Sequence, residues 1–158
     1  MLFLRSAIWA VVLPGVVAGY VPWTVFGLRD VHLDPRDPLQ IAGIICASAG
    51  VALLLACIVE FARIGRGTLS PVDPPRALVV RGLYRYVRNP MYLSVSMIVI
   101  GEAAVARSIA LAVYWSAFFL MANLFVIFYE EPNLRRRFGA SFDEYANRVG
   151  RWIPRVRG

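Results

Sequence analysis

The feature that most constrains this chain is a series of apolar segments separated by arginine-rich stretches. A helix of about 20 predominantly apolar residues crosses the hydrocarbon core of a bilayer. Four candidate spans meet or approach this length: residues 6–28, 39–62, 91–106 and 109–129. The third is short and would need its Asn-Pro start or a locally thinned bilayer to reach across. The sequence therefore predicts an all-α membrane protein, in which residues 1–158 form a single domain with four transmembrane helices.

The arginines predict how this domain is oriented. The chain contains no lysine, so all 17 basic residues are arginines. Short cytoplasmic loops collect positive charge. With a cytosolic N-terminus, fourteen arginines lie inside, most of them in the connector of residues 63–89 and the tail of residues 130–158, and three lie outside. This bias predicts that both termini are cytosolic. Because the arginines flank apolar spans, anionic lipid headgroups are their expected neighbours, and nucleic acid is not.

A very short turn near Ala106-Arg107-Ser108 separates the last two spans. Two apolar helices joined so closely must run antiparallel, as a hairpin. The end of the fourth span, at Glu130 and Glu131, therefore returns to the membrane face where the third span begins, at Arg88-Asn89-Pro90. We expect cationic and anionic side chains to share one cytosolic compartment there.

Both ends of this hairpin carry helix-end signals. Asn89 followed by Pro90 predicts a helix start, because Asn can cap free backbone N–H groups and Pro fits the first helical position. Glu130 and Glu131 are predicted to close the fourth helix, where the helix dipole disfavours carboxylates. An ion pair from Glu131 to Arg135 would compensate one of them. Because successive helical residues point about 100° apart, the two carboxylates are expected to have different partners, which leaves one to face a ligand.

The tail carries the signals of a further helix. Ser141 and Glu144 form a capping-box pattern, and Gly150 is suited to end a helix. The apolar residues between them fall on one face: Phe142, Tyr145 and Val149. This predicts an amphipathic helix, which either anchors the tail in the membrane interface or folds over the hairpin.

Three polar side chains lie within or near the predicted spans. Glu60 and Glu102 are close in sequence to Arg63 and Arg107, so we expect an interfacial ion pair at each position. Asn123 is expected to form a hydrogen bond between helices.

The remaining candidates for chemistry have ordinary roles. His32, the single histidine, is expected to be a solvated residue of an outside loop. Cys46 and Cys57 lie in one apolar segment and are expected to be packing residues, which leaves the redox compartment undecided. No metal site is predicted.

The predicted cytosolic compartment suits a ligand that carries both signs of charge. It combines a helix N-terminus and arginines with two carboxylates. S-adenosylmethionine is one such ligand, since it has a carboxylate, an ammonium, a sulfonium and ribose hydroxyls. The charges alone do not select it over other zwitterionic or dipolar ligands.

Three motifs, in this order, carry a resemblance. They are Gly82-Leu-Tyr-Arg-Tyr-Val-Arg-Asn-Pro-Met-Tyr92, then Glu130-Glu-Pro-Asn-Leu134 with Phe138-Gly139 and Phe142-Asp-Glu-Tyr145, and finally Arg151-Trp-Ile-Pro154. Over residues 78–154 the chain resembles the isoprenylcysteine carboxyl methyltransferase and phospholipid methyltransferase superfamily. The resemblance implies an integral membrane enzyme that uses S-adenosylmethionine to methylate a lipophilic substrate arriving from the bilayer. The cofactor would be enclosed by the connector, the last two spans and the tail.

By motif position, the resemblance implies cofactor contacts from eight residues: Tyr84, Val87, Arg88, Asn89, Pro90, Tyr92, Glu130 and Glu131. Arg88 and Glu131 are the predicted catalytic residues among them. Asn89 departs from the pattern, because many relatives have His at this position. An Asn side chain can donate and accept hydrogen bonds but does not titrate, so this position is not expected to transfer a proton.

The methyl acceptor stays open at this point. A carboxylate of the isoprenylcysteine type is the preferred acceptor and needs no base, because it is already ionised. A phospholipid amine is the alternative and must first lose a proton, for which Glu130 or Glu131 would be the base. Two other classes of protein also remain, an NADPH-dependent enzyme like the sterol reductases and a small four-helix transporter. The oligomeric state is not predicted.

Overall fold

Helices dominate a computed structural model, which describes residues 12–64, 78 and 80–155, with only the backbone for residues 61–64. The described helices are α1 (residues 12–24), α2 (Pro38–Ile64), α3 (Pro90–Ala106), α4 (Ile109–Phe125), α5 (Glu131–Phe138) and α6 (Ala140–Arg148). Two short 3-10 turns lie at Leu28–Asp30 and Gly82–Arg85. Within the described residues β-pairing is limited to one isolated bridge. The predicted all-α class is confirmed for this part of the chain.

Two of the described helical stretches are long and apolar enough to cross a bilayer, one over Pro38–Glu60 and the other over Ile109–Phe138. Helix α3 is also apolar but has only 17 residues. Helices α2 and α3 lie within two residues of the predicted second and third spans. The predicted first span, residues 6–28, begins outside the described residues, so the number of four spans stays a prediction.

A wide π turn precedes a proline at two places in the chain. Val16–Tyr20 precedes Pro22, and Val126–Glu130 precedes Pro132. A proline has no N–H group, and its ring clashes with the preceding turn of a regular α-helix. At both places the residue before the proline donates its N–H five positions back, as in a π-helix. The wider turn lets the helix continue past the proline.

The prediction that the fourth helix ends at Glu130 and Glu131 is therefore wrong. The helix starts at Ile109 as predicted, but it continues through the π turn into α5 and ends at Phe138. Helix α5 is polar and carries three consecutive arginines, so the apolar part of the long helix ends near Tyr129. The two carboxylates lie where the apolar part gives way to the polar part, away from a helix C-terminus.

The turn between α3 and α4 is fixed to the start of α2. Arg107 has a left-handed φ of 50°, and Ser108 Oγ accepts from Leu111 N at 3.2 Å. Arg107 Nε donates to Asp37 Oδ2 at 2.7 Å, and this hydrogen bond lowers the pKa of Asp37. The predicted ion pair between Glu102 and Arg107 is therefore wrong, because Arg107 binds the loop before α2 instead.

Helices α2 and α3 cross at a contact between glycines. A Cβ atom on Gly101 would lie 2.6 Å from the Gly43 carbonyl oxygen and 2.7 Å from the Ala47 nitrogen. Added to Gly43, a Cβ atom would lie 2.6 Å from the Gly101 carbonyl oxygen. Only glycine allows such an approach of two backbones, and small residues serve this purpose in many membrane helices. The contact sets α2 closely against α3.

We expect Gly101→Ala to lower the thermal stability of the detergent-solubilised protein, because the added methyl group would push two helix backbones apart. Overpacking of this kind costs about 1–3 kcal/mol. Gly15→Ala is the matched control, since nothing lies within 4 Å of its Cβ position and both glycines are helical. Melting temperatures of the three proteins would be compared. Equal melting temperatures of the two variants would contradict a tight crossing.

Candidate functional site

The Glu131 carboxylate joins three separate parts of the chain. Its Oε1 lies 3.1 Å from Nη1 of Arg88, at the end of the connector. Its two oxygens also accept from Nε and Nη2 of Arg151 in the tail, each at 2.8 Å. The prediction that the hairpin brings Arg88 and Glu131 to the same end of the molecule is confirmed by these distances. We call this group the Arg88–Glu131–Arg151 cluster.

The cluster is shielded from solvent to different degrees. The Arg88 and Glu131 side chains are 11% and 13% exposed, and that of Arg151 is 31% exposed. Burial lowers the pKa of Arg88, and the nearby Glu131 charge opposes this shift. The hydrogen bond to Glu131 raises the pKa of Arg151. Because arginine stays protonated in proteins, two guanidinium groups share one carboxylate, and a net positive charge remains.

Backbone contacts also fix the tail beside the start of α3. Arg88 N donates to the Gly150 carbonyl oxygen at 2.8 Å, within the isolated bridge between Val87 and Gly150. Asn89 Nδ2 donates to the Arg151 carbonyl oxygen at 3.3 Å. Pro90 begins α3 as predicted, but the predicted capping by the Asn89 side chain is wrong. This side chain turns to the tail instead of to the first turn of its own helix.

Helix α6 places an aromatic face against the cluster. Phe142 is fully buried, and Tyr145 Oη donates to the Tyr84 carbonyl oxygen at 2.7 Å. Burial raises the pKa of Tyr145, so its hydroxyl keeps the proton that this hydrogen bond requires. The buried side of α6 therefore covers the hairpin end and the connector.

The predicted capping box of Ser141 and Glu144 is wrong. Helix α6 begins at Ala140, directly after Gly139 turns the chain with a φ of 51°, so Ser141 is already inside the helix. Glu144 forms an ion pair with Arg148, one turn further along the exposed face. The left-handed turn at glycine starts the helix without a side-chain cap.

Glu130 has a different environment from Glu131, as their spacing predicts. Its Oε2 accepts from Tyr92 Oη at 3.4 Å, and none of the ion pairs among the described residues includes it. The predicted ion pair between Glu131 and Arg135 is wrong, since Arg135 binds Asp143 at 2.7 Å. Glu130 is thus a half-buried carboxylate without a cationic partner in the described part of the chain.

Trp152 attaches the tail to the side of the hairpin. Its Nε1 donates to Asn123 Oδ1 at 2.9 Å, and its ring centroid lies 5.1 Å from that of Phe119 and 6.4 Å from that of Tyr92. Asn123 was expected to bind another helix of the bundle, but its partner is this tail residue. The tail is therefore held at two levels, by Arg151 at the charged end and by Trp152 along the apolar helices.

A pocket of about 30 Å³ lies at the cluster. Seven residues line it: Arg88, Asn89, Glu130, Glu131, Leu134, Phe142 and Tyr145. Arg88 Nε is buried and has no hydrogen-bond partner among the described residues. Arg88 and Glu130 both line the pocket, and Glu130 lacks a cationic partner among the described residues.

The structure brings four of the eight predicted cofactor residues together as pocket lining: Arg88, Asn89, Glu130 and Glu131. The other four are not part of the lining: Tyr84, Val87, Pro90 and Tyr92. The roles of all eight in cofactor binding stay predictions.

Four residues of the site were missing from the predicted set: Leu134, Phe142, Tyr145 and Arg151. The spacing of Phe142 and Tyr145 already placed them on one helix face, which was a usable signal. Arg151 pairs with a residue 20 positions away, and no local pattern could reveal that contact.

The other candidates lie apart from the pocket. His32 is exposed, and Cys46 and Cys57 are both free. The Arg63 side chain lies outside the described residues, so its predicted pairing with Glu60 stays a prediction. No group of His, Cys, Asp or Glu side chains suited to a metal ion occurs in the described part of the chain.

Fold and site together define a small helical membrane protein with a charged pocket at one end of a helical hairpin. Residues 38–141 match the phospholipid methyltransferase family, and the chain belongs to this family of membrane methyltransferases. No match was found among curated proteins or among solved structures. This match confirms the family that the motifs indicated; it covers the first motif and most of the second and ends before the third, Arg151–Pro154.

We expect Glu131→Gln to lower the melting temperature and to loosen the tail, because it leaves the shielded Arg88 guanidinium without its counter-charge. Removing one partner of a buried pair costs about 3–5 kcal/mol, and partial exposure of Arg151 reduces this to about 2–3 kcal/mol. Glu144→Gln is the matched control, since the Glu144 and Arg148 side chains are 63% and 59% exposed. Such pairs contribute about 0–1 kcal/mol.

The melting temperature would report the loss of stability. Amide hydrogen exchange at Arg88, whose N–H binds Gly150, would report the loosening of the tail. Equal stability of Glu131→Gln and Glu144→Gln would show that the cluster does not hold the tail.

Proposed function

We propose that this protein is an S-adenosylmethionine-dependent methyltransferase that acts on a lipophilic substrate at the cytosolic face of a membrane. The observation that supports this most is the pocket, whose lining includes the Arg88 guanidinium and Glu130, a carboxylate without a cationic partner among the described residues. A ligand with a carboxylate and a cationic centre would satisfy both groups with charge-assisted hydrogen bonds. The family match favours methyl transfer over a reductase that uses NADPH and over a four-helix transporter.

The side chains at the pocket fit S-adenosylmethionine in their chemistry. Arg88 is suited to the carboxylate of the methionine part, and Glu130 to its ammonium or to ribose hydroxyls. The rings of Phe142 and Tyr145 offer apolar surface for an adenine. When bound, S-adenosylmethionine would supply an activated methyl group. Arg88 and Glu131, predicted from the motifs to be catalytic, would act here by positioning: Arg88 would hold the ligand, and Glu131 holds Arg88.

The pocket is too small to hold a ligand of this size. It encloses about 30 Å³, whereas ligand sites commonly enclose roughly 300–1,000 Å³. Gly150 and Arg151 of the tail bind three residues that line it: Arg88, Asn89 and Glu131. A ligand of this size therefore needs a larger opening, and we propose that the tail moves to provide it. Closure afterwards would exclude water and hold the reactants in line, which supplies much of the rate in such a transfer.

Our preferred acceptor is a lipid carboxylate of the isoprenylcysteine type. The Arg88–Glu131–Arg151 cluster keeps a net positive charge, which attracts an anionic acceptor, and a carboxylate needs no base. A phospholipid amine is the second candidate. It is favoured by Glu130, a carboxylate that could take the proton an amine must lose.

The proposal also covers the orientation of the protein in the membrane and its lipid neighbours. We assign both termini and the pocket to the cytosolic side of a multi-pass membrane protein, on the distribution of the arginines. Arg81 and Arg85 beside the pocket and the arginines of α5 are exposed and suit anionic lipid headgroups. The acceptor would arrive from the bilayer.

Glu130→Gln tests the pocket assignment. We expect the wild-type protein to bind S-adenosylhomocysteine, and NADPH to give no heat, in isothermal titration. The variant should bind S-adenosylhomocysteine about tenfold or more weakly, since a hydrogen bond to a charged group contributes about 1.5–3 kcal/mol. Its melting temperature should stay near that of the wild type, because no described ion pair depends on Glu130. Glu144→Gln serves again as the control. Absence of binding by the wild type would refute the proposed function.

The acceptor class can be read from the product. Membranes that contain the protein would be incubated with S-adenosylmethionine labelled in its methyl group, and the labelled lipids would be analysed by mass spectrometry. A carboxyl methyl ester releases volatile methanol in alkali, whereas an N-methyl group does not. We expect alkali-labile label in a lipid carboxylate, and stable label on an amine headgroup would select the second candidate instead.

A further inference from the structure

Glu60, near the end of α2, makes a contact that its sequence neighbourhood did not indicate. Its Oε2 accepts a hydrogen bond from Leu83 N at 3.0 Å. The side chain is half-buried, and its partner lies 23 positions further along the chain, in the 3-10 turn Gly82–Arg85. Helix α2 therefore touches the connector directly before the residues that line the pocket.

The same carboxylate lies against Gly82, the first residue of this turn. Gly82 has a φ of 55°, which side-chain-bearing residues rarely adopt. A Cβ atom on Gly82 would also overlap the Glu60 carboxylate. Glycine is thus required for the backbone conformation and for the space that the carboxylate occupies.

The turn connects this anchor to the pocket through backbone hydrogen bonds. Tyr84 N donates to the Arg81 carbonyl oxygen at 3.1 Å, and Val87 N donates to that of Leu83 at 3.3 Å. The next residue is Arg88. From the opposite side, Tyr145 Oη of α6 binds the Tyr84 carbonyl oxygen at 2.7 Å. The segment before Arg88 is thereby held between α2 and α6.

We propose that Glu60 is a positioning residue of the site: its carboxylate anchors the Gly82–Arg85 turn to α2 and so fixes where Arg88 enters the pocket. A carboxylate is suited to this purpose, because its hydrogen bond to a backbone N–H is charge-assisted. Helix α2 can support this contact, because it packs closely against α3 at Gly43 and again, nearer to Glu60, at Gly50. The second span thus has a role in the site although it lines no part of the pocket.

Glu60→Ala, Glu60→Gln and Gly82→Ala test this proposal, with Glu144→Ala as the exposed control. Because the ligand readout rests on the proposed function, it is paired with one that does not. The first readout is amide hydrogen exchange at Leu83, measured without ligand. The second is the affinity for S-adenosylhomocysteine, together with KM for S-adenosylmethionine and kcat.

We expect faster exchange at Leu83 in Glu60→Ala and affinity about tenfold weaker than in the wild type, as for loss of one hydrogen bond to a charged group. KM should rise more than kcat falls, because Glu60 does not touch the reacting atoms. Glu60→Gln retains an acceptor oxygen and should restore most of the affinity. A purely structural role would lower stability without this rescue and without the change in KM.

Gly82→Ala separates anchoring from general damage. It displaces the carboxylate that Glu60→Ala removes, so the effects of the two substitutions on affinity should be less than additive in the double variant. Additive effects, or unchanged exchange at Leu83 in Glu60→Ala, would overturn the proposal. If the wild type failed to bind S-adenosylhomocysteine, the proposed function would fall, and exchange at Leu83 would still decide whether Glu60 anchors the turn.

Discussion

One carboxylate, that of Glu131, is the point on which this end of the molecule depends. It faces a guanidinium from the connector and a second from the tail, at 3.1 and 2.8 Å. Neither arginine is adjacent to it in the sequence, because Arg88 lies 43 positions before it and Arg151 lies 20 positions after it. The ion pairs therefore hold together segments that are far apart in the chain. Bringing such segments together opposes chain entropy, and charge-assisted hydrogen bonds in a shielded place are strong enough to offset part of it. The pocket exists because these three segments meet.

The packing of helices α2 and α3 supports the cluster in addition to its ion pairs. The contact of Gly43 with Gly101 sets α2 against α3 at backbone distance. Near this contact, at the C-terminal end of α3, Arg107 closes the hairpin turn and binds Asp37. The other end of α3 is fixed by the contacts of Arg88 and Asn89 with the tail, so both ends of this helix are held. Precise placement of reacting groups favours rigid elements of this kind.

The sequence alone was sufficient for those features that local patterns determine. Apolar length predicted α2, α3 and the start of α4 within two residues, and the short turn at Arg107 predicted that Arg88 and Glu131 meet. Predictions that paired residues one helical turn apart were wrong where a residue distant in the sequence was the actual partner. They paired Glu131 with Arg135 at the next helical turn, but Arg151 binds both carboxylate oxygens in a shielded place, where a charged pair is stronger than on an exposed helix surface. Likewise, the fourth helix was predicted to close at Glu130 and Glu131, whereas it continues through a π turn into α5.

The π turn lies beside two carboxylates that have different chemical environments. It lies directly before Glu131 and shifts the helix by about one residue relative to a regular α-helix. Glu131 faces two arginines, while Glu130 faces the Tyr92 hydroxyl and the pocket. A carboxylate whose charge is compensated by guanidinium groups is a poor proton acceptor, because protonation would break those ion pairs. Glu130, which lacks such compensation among the described residues, is therefore the better candidate of the two for binding a cationic group or for accepting a proton, and Glu131 is the better one for holding the site together.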